Sequence, residues 1–124
     1  MDFTGLERGA TDIDGMSDYN GQGFLFYELK HRNAVCPFGQ RMAMQNLVDT
    51  AKQAGKVGLA LIAEHCVDNP NDDVSVKDSL VREMYWSGEQ KWRSPQYPVT
   101  IGDAEHIFNE ICRRREERKC GLVY

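Results

Sequence analysis

A chain of 124 residues with a formal net charge of −4 has room for one hydrophobic core and no second substantial domain. Its mild acidity makes steering toward nucleic acid by whole-protein charge weak, so any such contact must come from a local patch or a bound metal. No apolar run approaches the roughly 20 residues that span a bilayer, and the basic and apolar segments of a signal peptide are lacking, so a cytoplasmic protein with no membrane partner is expected.

Residues 1–10 are too few to define an element, although a short helix there would bring Glu7 near the hairpin expected over residues 12–30. Asp12 to Tyr19 reads as a polar strand, and Asn20-Gly21-Gln22-Gly23 as a turn. Phe24 to Lys30 is aromatic and aliphatic, as a strand requires, but it closes on Glu28 and Lys30. Residues two apart in a strand share a face, so these opposite charges project together, as do Asp12 and Asp14. A hairpin centred on Gly21 sets Asp14 against Glu28 and Asp12 against Lys30. Centring on Gln22 moves Asp14 beside Lys30, and centring between two residues sends the aspartates to the other face. The one-face arrangements, reached through a three-residue loop with a glycine bulge, account for more of the residues.

Pro37 suits a helix entry, and from about Gln40 to Ala54 Met44, Leu47, Val48 and Ala51 recur at helical spacing until Gly55 stops the run. Gln40 lies on the Met44 side of that helix, one turn nearer its start. Lys56 to Ala63 is apolar on both parities, the pattern of a central strand covered on both faces. The intervening helix makes this strand parallel to Phe24–Lys30 through a right-handed crossover. Asp68 to Asp73 is acidic but lacks the glycine and terminal glutamate of a calcium loop, so it reads as a solvated turn. Ser79 to Trp86 is a strand, and Lys91-Trp92-Arg93 returns beside it, giving an accessory hairpin over about 79–93. Thr100 and Asp103 form a capping box for a terminal helix over about 101–118, with an apolar stripe of Ile101, Ala104, Ile107, Phe108, Ile111 and Cys112. Cys36, Cys66, Cys112 and Cys120 are widely spaced, which predicts separate reduced thiols.

The chemistry concentrates at the first hairpin. Adjacent carboxylates repel unless a cation neutralises them, and Mg²⁺ or Mn²⁺ takes oxygen ligands while keeping several waters. Asp14, Glu28 and the backbone carbonyl of Leu29 are the candidate ligands. Lys30 is placed to orient or deprotonate a metal-bound water, or to stabilise charge on a phosphate, and Gln40 to hydrogen-bond either. Ordinary surface salt bridges are the plain alternative.

Thr11-Asp12-Ile13-Asp14-Gly15, then Phe24 to Lys30, then Gly39-Gln40-Arg41, resembles the PD-(D/E)xK nuclease superfamily, and its small phage-encoded members in particular. The resemblance covers roughly residues 7–65. It implies an α/β fold, a small mixed β-sheet with flanking helices and a restriction-endonuclease-like core, spanning 1–124 as one nuclease-like domain. It further implies Mg²⁺-dependent endo- or exonucleolytic cutting of nucleic acid, with DNA the expected partner, in the host cytoplasm if the gene is phage-borne. By resemblance Asp14 and Glu28 are metal ligands, Lys30 the catalytic lysine and Gln40 the helix glutamine. Ile13 stands where the family has proline, and the first helix is nearly absent. A homodimer would complete so short a fold. A silent, nuclease-like accessory protein that binds nucleic acid or a host protein is the other expectation. His31, Arg32, Arg41, Trp92 and Arg93 are the candidate substrate contacts, with Tyr85 and Trp86 as further aromatics.

Overall fold

The structure, a computed structural model, describes residues 13–69 and 71–119. Strands β2 (Gly23–His31) and β3 (Val57–His65) run parallel through the centre, paired from Gly23↔Val57 to His31↔His65. β1 (Gly15–Asp18) and β4 (Leu80–Trp86) flank them antiparallel, in the order β1-β2-β3-β4. Helix α1 (Phe38–Gln53) supplies the crossover from β2 to β3, and α2 (Ile101–Lys119) follows β4. The result is a small α/β fold, a mixed sheet with a helix on each face.

Strand alternation divides the core. Phe26, Ala60, Ile62 and Tyr85 point to α1 and pack on Met44 and Val48. Leu25, Leu59, Leu61 and Met84 point to α2 and pack on Ala104, Phe108 and Cys112. β3 is apolar on both parities because both layers rest on it, and every residue from Val57 to Ala63 is buried. Each fully buried leucine or isoleucine there contributes about 1.5–3 kcal/mol relative to exposure. α1 lies close to the sheet at Gly58, where a Cβ would sit 3.1 Å from the Val48 backbone.

The helix ends follow local chemistry. α1 begins two residues before the expected Gln40, because Pro37, at φ −56°, already holds a helix-compatible angle and its carbonyl accepts from Arg41 N at 3.1 Å. It ends in a Schellman motif: Lys56 N donates to Ala51 O at 2.8 Å, Gly55 N donates to Lys52 O at 2.9 Å, and Gly55 takes φ +77°. The expected box at α2 is present, with Thr100 N donating to Asp103 Oδ2 and Asp103 N to Thr100 Oγ1, both at 3.1 Å. Ile107 and Leu47, read as buried, are half-exposed at the margins of their stripes.

Two strand boundaries differ from expectation. β1 starts at Gly15, whereas the strand was expected from Asp12; Asp12, like Glu7 and Cys120, lies outside the described residues. β3 continues past Ala63 through Glu64 and His65, because β2 alongside it extends to His31. The return beside β4 is a single bridge, Met84↔Arg93, rather than a paired strand. No helix among the described residues is long and apolar enough to cross a membrane.

Candidate functional site

The hairpin register decides whether the acids meet, and the turn decides the register. Asn20 and Gly21 both take positive φ, and Gln22 N donates to Tyr19 O at 2.8 Å, closing a tight turn. That closure alone would centre the hairpin between two residues and send Asp14 to the face opposite Glu28. Instead Tyr19 N donates to Gly23 O at 3.0 Å, so Gln22 is an extra residue on the β2 side. The pairs Gly15↔Tyr27 and Asp18↔Phe24 therefore centre on Gly21, and Asp14 falls opposite Glu28.

Asp14 Oδ2 accepts a 2.7 Å hydrogen bond from Leu29 N. In an extended strand the N–H and C=O of one residue share an edge, so the Leu29 carbonyl faces the Asp14 side as well. Glu28 is 4% exposed. Its Oε1 lies 3.4 Å from Lys30 Nζ, and its Oε2 is buried with no hydrogen-bond partner. Lys30 Nζ in turn donates to Gln40 Oε1 at 2.9 Å, drawing the start of α1 into the same cluster. Burial pushes the Glu28 carboxyl above its ordinary value, and the Asp14 charge adds to this while Lys30 opposes it. Asp14, Glu28, Lys30 and Gln40 are thus brought together by one turn, one strand and one helix entry.

This donor set fits a small hard cation. A buried carboxylate oxygen without a partner is costly, and a second carboxylate beside it adds repulsion that a divalent ion would remove. No group of three His, Cys, Asp or Glu side chains converges among the described residues. A cation that retains its waters needs fewer protein ligands than that.

The remaining candidates are engaged elsewhere. His31 Nε2 lies 2.9 Å from Asp68 Oδ1, and Arg32 donates to both Asp68 oxygens at 3.1 and 2.7 Å. Arg32 and His31 together hold the Asp68 carboxyl down at about 2. Arg41 grips Glu83 through two bonds of 2.9 and 2.7 Å and lies 5.0 Å over the Trp92 ring. Trp92 donates to Gln45 at 3.2 Å and packs 5.4 Å from Tyr85, so it fastens the return segment to α1. Arg93 pairs with Glu89 at 2.9 Å. Trp86 lies in the α2 layer. His65 stands beside His31, on the sheet face opposite Glu28, and its Nδ1 accepts from Val67 N.

Two residues of the site region were not singled out from sequence. Glu64 is the ladder partner of Lys30 and lies on its face. Arg82 sits in a bulge, since Ile62 pairs with Glu83 and Ala63 with Val81. Its guanidinium donates to the Arg32 carbonyl at 3.1 Å. Lys30, Arg41 and Arg82 all pull on the buried Cys36 thiol, although burial outweighs them and pushes it up. The Lys30–Glu64 register would have marked Glu64 once β2 and β3 were aligned; a bulge has no comparable signature. In comparisons with known proteins, no family model, curated protein or solved structure matches the chain.

Proposed function

We propose that this protein hydrolyses phosphodiester bonds in nucleic acid, DNA first, with Mg²⁺ or Mn²⁺, on a restriction-endonuclease-like core of the PD-(D/E)xK kind. The observation that carries this reading is the orphaned, buried Glu28 Oε2 beside Asp14, with Lys30 spanning Glu28 and Gln40. Asp14, Glu28 and the Leu29 carbonyl would hold the ion. When bound, it supplies charge neutralisation at a phosphate oxygen and acidifies a coordinated water. Lys30 stands at the edge of the carboxylate pair, and its Gln40 bond aims its Nζ. Its remaining N–H groups are donors for a phosphate oxygen as charge builds there. The first backbone N–H groups of α1 carry no side-chain cap and favour an anion on the same side. Lys30→Ala, assayed on plasmid and single-stranded DNA with Mg²⁺ or Mn²⁺, should abolish cutting without lowering the helix content. Full activity in that variant refutes the assignment.

One observation favours a second reading, a silent nuclease-like protein, of phage-accessory type, that binds nucleic acid or a host protein. His31, Arg32, Arg41 and Arg93, the basic residues expected to contact substrate, all have carboxylate partners within the protein itself. Such a protein would keep its binding in EDTA and in Glu28→Ala and release no products with any metal.

A further inference from the structure

Between β4 and the segment that follows it lies an open groove of about 430 Å³. The segment is tied to β4 at two places. Met84 and Arg93 exchange backbone bonds of 2.8 and 2.9 Å, and Val81 N donates to Val99 O at 2.8 Å. Between these ties residues 94–98 leave the strand edge, and Pro95 and Pro98 stiffen the excursion. Tyr97, at its tip, is 76% exposed and lines the groove. Its ring is therefore open to solvent at the groove, where a planar group can stack on it.

Arg82, the extra residue of the β4 bulge, lines the same groove. Among the described residues it has no carboxylate within ion-pair distance, unlike the cations of Arg32, Arg41 and Arg93. The groove borders the Lys30 region: Glu64 lines it and is the ladder partner of Lys30, and Arg82 reaches the carbonyl of Arg32, two residues beyond Lys30. A guanidinium with no carboxylate in ion-pair contact among the described residues, an exposed aromatic face and a volume within the ~300–1,000 Å³ range of small-ligand sites together suit one nucleotide.

We infer that the Arg82–Tyr97 groove is a nucleotide subsite, in which Tyr97 stacks on an unpaired base and Arg82 takes the adjoining phosphate of a strand running to Lys30. This rests on the proposed nuclease reading and deepens it: the substrate is nucleic acid with at least one unpaired nucleotide beside the scissile bond. A base within a duplex is stacked on both sides and offers no face to Tyr97.

The test is fluorescence anisotropy with a short labelled single strand, the same strand carrying one abasic nucleotide at successive positions, and a blunt duplex. Binding is measured in EDTA and, with Mg²⁺, in Lys30→Ala, so that no strand is cut. The intact single strand should bind best, and one abasic position should weaken it about ten-fold. Tyr97→Ala should bring the intact strand down to the abasic level, and Tyr97→Phe should not. Arg82→Ala should weaken every strand alike and lower the salt slope by about one. Tyr97 is exposed, so its variants should fold, which melting curves will show. The inference is overturned by Tyr97→Ala binding within about two-fold of wild type, or by a preference for the blunt duplex. If the wild type cuts DNA and the Tyr97 variant behaves identically, only the groove assignment falls. If the wild type neither binds nor cuts any nucleic acid, the groove and the nuclease reading fall together.

Discussion

Asp14 Oδ2 accepts a 2.7 Å bond from the backbone N–H of Leu29, which pins its carboxylate beside that of Glu28. The hairpin thus holds two acids together, one of them buried with a bare oxygen. Burial and the neighbouring Asp14 raise the Glu28 carboxyl, so its charge opposes folding, and the consequences are measurable.

Glu28→Gln should stabilise the metal-free protein at neutral pH by about 1–3 kcal/mol, because the amide carries no charge and can donate toward Asp14. The sign follows from the raised Glu28 value. The folded state holds the Glu28 proton more tightly than the unfolded chain, so stability falls as pH rises from about 4.5 through the folded value. The gain from Glu28→Gln should therefore vanish below that window. Thermal melts across pH check this, and a variant that melts lower at neutral pH would show that the pair is not under repulsion.

Mg²⁺ should raise the melting temperature of the wild type and leave Glu28→Gln unmoved, since a ligand that binds only the folded state stabilises it by mass action. Asp14→Asn should weaken Mg²⁺ about ten-fold or more by calorimetry, a loss of the size that damage to a metal site produces. Unchanged affinity would move the ligand role away from Asp14.

The fold was legible where one stretch of chain carries its own instruction. Val57–Ala63 could be read as a central strand because it is apolar on both parities, and Thr100 with Asp103 marked the start of α2 three residues apart. The site was half legible. Glu28 and Lys30 share a face by strand geometry alone, but Asn20-Gly21-Gln22-Gly23 can close in more than one way, and only the Tyr19–Gly23 bond selects the register. The ion pairs were hidden for a different reason. Arg41 meets Glu83 across 42 residues and His31 meets Asp68 across 37, separations at which local pattern holds no information about contact.

The Arg41–Glu83 pair should serve stability more than substrate binding. Both side chains are about three-quarters buried, and the paired guanidinium holds the Glu83 carboxyl below its ordinary value. Its contribution is present above about pH 4.5 and is lost as pH falls through the lowered folded value. Arg41→Met should cost about 1–3 kcal/mol at neutral pH, since it strands a largely buried carboxylate, and less in acid. Urea denaturation at both pH values checks this. A cost that persists unchanged in acid would assign it to lost packing on Trp92 instead.

Gly58 links packing to the site. A Cβ there would lie 3.0 Å from Val48 Cγ1 and 3.1 Å from the Val48 backbone, so Gly58→Ala should make α1 or β3 give by a few tenths of an ångström. Overpacking of this kind costs about 1–3 kcal/mol. Gln40 stands at the start of the same helix and holds Lys30 at 2.9 Å, so displacement of α1 should also loosen that bond. Gly39 is the control, since a Cβ there meets nothing within 4 Å, and Gly39→Ala should leave both stability and any cutting intact. Adding Val48→Ala to Gly58→Ala removes the side-chain clash but not the backbone one, so it should rescue only part of the lost stability. Melting curves and cleavage rates across the four proteins separate the effects. If Gly58→Ala loses stability yet keeps full cutting, the approach of α1 matters to the fold and not to the aim of Lys30.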